Sequence, residues 1–206
     1  MSAGDARVRE ALRAWRETKS PEAEARFLQA RLRVGSLSEH QLSLASYLGH
    51  SAARVCESLE SEHVQGRITP PNSIYSWVLG LEPWGKKATV RAARVGCLVA
   101  VEEWPSLAAE VEPRLGELLR FVELWLTKSR PRRSRKTHGF RYASFENFPW
   151  ARWLAQELDG DKRSTRFGRN AGSLMASLMH RGVSEALVRE KLRATLVSWA
   201  LGPEHA

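Results

Sequence analysis

Cysteine is nearly absent from this 206-residue chain: Cys56 and Cys97 are its only two, without CxxC spacing. Both sit in helical, partly apolar segments, so buried free thiols in a reducing compartment are expected rather than a disulfide framework. Long hydrophobic runs are missing too. The longest, Val95–Val101, stops at Glu102 and Glu103, far short of the roughly 20 apolar residues that cross a bilayer. The opening residues, MSAGDARVRE, lack the apolar core of a secretory signal. A cytoplasmic location without membrane contact is the expectation. No period-2 alternation of useful length occurs, which argues against a sheet.

Enzyme signatures are also lacking. There is no Gly-rich Walker loop, no HExxH and no Cys/His set with zinc spacing. The six histidines are scattered. Aspartate is confined to Asp5, Asp159 and Asp161, and two carboxylates flanking Gly160 read as a turn rather than a metal pair. The chain is expected to be no enzyme and to hold no cofactor or metal.

Acid is what one stretch lacks entirely. No Asp or Glu occurs between Glu123 and Glu146, and Lys128–Arg141 packs Lys128, Arg130, Arg132, Arg133, Arg135, Lys136 and Arg141 into that gap. Residues 1–127 hold 16 basic and 16 acidic residues, whereas residues 128–206 hold 16 and 7. The whole formal +9 therefore falls in the last 79 residues. Arginine-rich drift in a genome would raise both halves alike, so the asymmetry argues for an anionic partner. Seven such cations supply non-specific affinity for a phosphate backbone by displacing counterions. A solvated linker carries the same kind of charge run. Both readings stand at this point.

The front half is written as successive helices. Val8, Leu12 and Trp15 form a stripe over Asp5–Thr18. Ser20-Pro21 marks a capped start with Glu22 and Glu24 in the first turn. Helices from Ser38 to Gly49 and from Ser51 follow, then a break at 66–72. A short segment carries Trp77 and Leu79, and a long helix spans about Lys86 to Trp104, ended by Pro105. From Leu107 to Leu126 the stripe is clear, its regular part beginning at Pro113. The fragment RFLQARLRVGSLSEHQLSLASYLGHSAARVCESL resembles bacterial helical-repeat proteins in which an LGH- or LGD-type corner joins two helices. WGKKATVRAARVGCLVAVEEW is similar in kind. The resemblance covers roughly residues 10–105 and implies a packing style.

Beyond the basic stretch, Phe140, Tyr142, Phe145, Phe148, Trp150 and Trp153 crowd into 14 residues. They suit base stacking or the pinning of a C-terminal module to the front half. Packing is favoured, since six exposed aromatics invite aggregation. Tyr142 and Phe140 are the better ligand contacts. Residues 138–145 resemble an RNP1 motif, but that motif works on a strand and its surroundings here are helical.

Two final helices follow, one with Ala171, Leu174, Met175 and Leu178, the other with Val188, Leu192, Leu196 and Trp199. Arg163, Arg166 and Arg169 precede or open the first, and Arg166 and Arg169 project opposite its apolar stripe. GRNAGSLMASLMHRGVSEALVREKLRATLVSW is similar to the small helical module C-terminal to the catalytic core of some phage and plasmid primases. The matching positions are Gly168, Arg169, Asn170, Leu174, Arg181, Gly182, Val183, Ser184 and Trp199. The primase carboxylates have no counterpart upstream, so the resemblance implies a replication-type module without polymerisation.

The expectation is an all-α protein, an irregular bundle or short α-solenoid. It comprises a neutral helical-repeat-like region (5–127), a basic join (128–142) and a basic C-terminal module (143–202). Its expected role is non-specific binding of DNA or RNA in a bacterial or phage setting. The candidate contacts are Lys128, Arg130, Arg132, Arg133, Arg135, Lys136, Arg141, Tyr142, Arg163, Arg166 and Arg169. The alternative is an adaptor that binds a protein partner on residues 5–127.

Overall fold

Helix starts follow from local chemistry. Ser20 Oγ accepts the Ala23 N–H at 3.1 Å, and Pro21, which has no N–H to leave orphaned, opens the helix. At Ser38 the cap is reciprocal: its Oγ accepts the Gln41 N–H at 3.3 Å while Gln41 Oε1 accepts the Ser38 N–H at 3.0 Å. Ser73 Oγ accepts from Ser76 N–H in the same way, at 3.2 Å.

The computed structural model describes residues 3–60, 72–110, 113–127, 145, 148–159 and 168–202. Every regular element among them is helical. In chain order they are α1 (Ala3–Thr18), α2 (Pro21–Arg33), α3 (Glu39–Tyr47), α4 (Ser51–Glu60), α5 (Ile74–Leu79) and, after a 3-10 turn at Glu82–Trp84, α6 (Lys86–Glu103). Then come α7 (Pro105–Ala109), α8 (Arg114–Thr127), α9 (Pro149–Asp159), α10 (Arg169–His180) and α11 (Glu185–Leu201). The all-α expectation holds. Pro105 both closes α6 and opens α7, because a proline that stops one helix suits the first turn of the next. None of the described helices is long and apolar enough to cross a membrane.

The chain divides into two compact units, and the division does not fall at the charge step near residue 128. The first unit is Met1–Pro70 with Arg193–Ala206; the second is Pro71–Leu192. Residues 193–201 of α11 thus count with the first unit and 185–192 with the second.

In the first unit α1 lies on α2, and α4 lies on α2 and α3. Trp15 stacks on Phe27 with centroids 5.4 Å apart. Leu28, Ala45, Leu48, Ala52 and Cys56 are fully enclosed. His50 ties two helices together: its Nδ1 accepts the Ala53 N–H at 3.3 Å, and its Nε2 lies 3.3 Å from Glu24 Oε1. Arg193 Nε donates to the Leu48 carbonyl at 2.9 Å, satisfying a helix end.

In the second unit α6 is the central element, packed by α9 and α10. Ten of its residues, from Ala88 to Ala100, are buried, and most are small or β-branched. Gly96 and Gly172 mark the closest approaches. A β-carbon on Gly96 would meet Met175 Cε at 2.8 Å, and one on Gly172 would meet Tyr75 Cδ2 at 3.0 Å. Such small residues let helix backbones approach at short range. Trp104 stacks on Trp150 at 4.6 Å with planes 5° apart, and Phe148 meets Trp150 edge-on at 4.9 Å. Pairs of this geometry contribute about 0.5–1.5 kcal/mol beyond their burial. Cys97 is buried, as is Cys56, and both are free thiols.

Candidate nucleic-acid interface

The face of α6 that does not enter the core carries Lys87, Arg91 and Arg94, at i, i+4 and i+7. That spacing puts all three on one stripe of the helix. Each is half-buried. Lys86, in the same first turn, lies with its Nζ 5.5 Å from the Trp125 ring centroid. Arg94 Nη2 reaches Glu123 Oε2 at 3.0 Å, and Arg91 Nη1 donates to the Lys87 carbonyl at 3.4 Å. Trp125 and Glu123 both lie on α8, which packs against α6.

The stripe is electrostatically strained. Burial pulls the Arg91 guanidinium down to about 10; Glu123 opposes that shift and Arg94 adds to it. Lys87 is lowered first by burial and then by the charge of Arg91. The two cations lie one helical turn apart on α6. Like charges at i and i+4 oppose helix stability by a few tenths of a kcal/mol. Lysines in the first turn also meet the positive end of the helix, and no acid stands there.

Charge also differs between the two compact units. Residues 71–192 hold 21 basic and 13 acidic residues, a formal +8, while the rest of the chain holds 11 and 10. The α6 stripe therefore shares a unit with the basic join.

Of the residues chosen from sequence, Arg169 is exposed at the first position of α10, in line with its projected face. Lys128, Arg130, Arg132, Arg133, Arg135, Lys136, Arg141, Tyr142, Arg163 and Arg166 lie outside the described residues, as do Phe140 and the rest of the join. The helix that Arg169 opens is anchored from below. Gly168 adopts a left-handed φ of 83°, and its N–H donates to Glu157 Oε1 at 2.9 Å in a buried setting. Phe145, Phe148 and Trp150 are buried, so these three pack rather than stack on bases. Trp153 is half-buried.

Other arginines are committed to the fold. Arg189 pairs with Glu185 at 2.7 Å and lies 4.9 Å from the Trp77 ring. The Arg181 guanidinium covers Trp150 at 5.0 Å and Trp104 at 5.9 Å.

Sequence reasoning passed over Lys87, Arg91 and Arg94. Summing charge across residues 1–127 cancelled them against glutamates elsewhere. The signal was present in a smaller window: no acid occurs between Glu82 and Glu102. Read at helical spacing, the four cations inside that window fall within three turns. Compared with protein-family models, curated proteins and solved structures, this chain matches nothing.

Proposed function

We propose that this chain is a non-enzymatic nucleic-acid-binding protein that grips the phosphate backbone through its second unit without reading sequence. The observation that carries the proposal is the concentration of formal charge: +8 of the total +9 belongs to residues 71–192. Counterion release makes such a surface bind DNA or RNA with steep salt dependence. The seven cations of the join and Arg169 supply the contacts in this reading. The similarity of residues 168–199 to a primase-associated helical module supports a replication-type setting in a bacterial or phage cytoplasm. The first unit, nearly balanced in charge, would serve packing or a partner protein.

Fluorescence anisotropy with single-stranded and duplex oligonucleotides, DNA and RNA, at 50 and 200 mM salt tests this. The comparison is a variant with Arg130, Arg132, Arg133, Arg135 and Lys136 changed to Ala. Micromolar or tighter binding that collapses in the variant is the expected result. Absence of binding by folded protein at 50 mM salt would overturn the proposal. It would leave the adaptor reading, in which the helical-repeat surface is the working face.

A further inference from the structure

We draw no further inference here: the strongest candidate, the side-chain cluster in which Arg54 and Arg193 converge on Gly49 at the corner between α3 and α4, carries nothing, because both guanidiniums donate to the Ser46 and Leu48 carbonyls at the end of α3 and so already serve the fold.

Discussion

Gly96 of α6 and Leu174 of α10 approach so closely that a β-carbon on the glycine would lie well inside van der Waals contact of Leu174 Cδ2. Helix propensity alone favours alanine over glycine in mid-helix by roughly 1 kcal/mol. Packing outweighs it here, since overfilling a close-packed core costs about 1–3 kcal/mol. Gly96→Ala is therefore expected to lower stability in urea unfolding. A more stable variant would show that α6 and α10 are less tightly packed than described.

His50 has two tasks in the first unit. It caps α4 through Nδ1 and meets Glu24 through Nε2. His50→Ala loses both and is expected to cost about 1–2 kcal/mol. His50→Asn keeps a capping acceptor and should recover part of that loss. Equal losses in the two variants would refute the capping role.

Cys97 is the site of a pH effect. Burial, opposed weakly by Arg94, pushes its thiol up to about 12 from an ordinary 9.0. Above pH 9 the unfolded chain releases this proton and the folded chain keeps it. Stability should then fall with rising pH, by up to about 1.4 kcal/mol per unit. Arg91 acts with the opposite sign, but only above about pH 10, where its lowered affinity for the proton takes hold. The difference between wild type and Cys97→Ala, followed from pH 8.5 to 10, isolates the thiol. Parallel curves would contradict its burial. In the native state neither cysteine should react with a disulfide reagent, and both should react after unfolding.

Glu123→Gln removes the carboxylate beside Arg94. Because the pair is partly exposed, the change in stability is expected to be under about 1 kcal/mol. Affinity for duplex DNA at 50 mM salt is expected to rise about two- to fivefold, through one more uncompensated positive charge. Unchanged or weaker binding would count against charge-driven binding by the second unit.

Local signals in the sequence carried over well into structure. Ser20-Pro21 and Ser38 mark helix starts because their hydroxyls satisfy first-turn N–H groups, a purely local need. The apolar stripe of α8 became Leu115, Leu118, Val122 and Leu126, all buried. Spatial grouping was not legible. Nothing in the string shows that residues 193–206 belong with 1–70, because that association is made by long-range contacts such as Arg193 to the Leu48 carbonyl. For the same reason the α6 cations vanished into a neutral front half, though their compact unit is basic. Arg189 is engaged by Glu185 and Trp77, and Arg193 by the Leu48 carbonyl, pairings that spacing along the sequence does not reveal. The join itself lies outside the described residues, so its part in the site rests on charge alone.

The central claim is that phosphate charge drives binding, and its most direct test is a salt titration of the wild-type chain on duplex DNA. With the seven cations of the join engaged, log affinity against log salt is expected to fall with a slope of about −6. A slope shallower than about −2, or no binding at 50 mM salt by folded protein, would contradict the account.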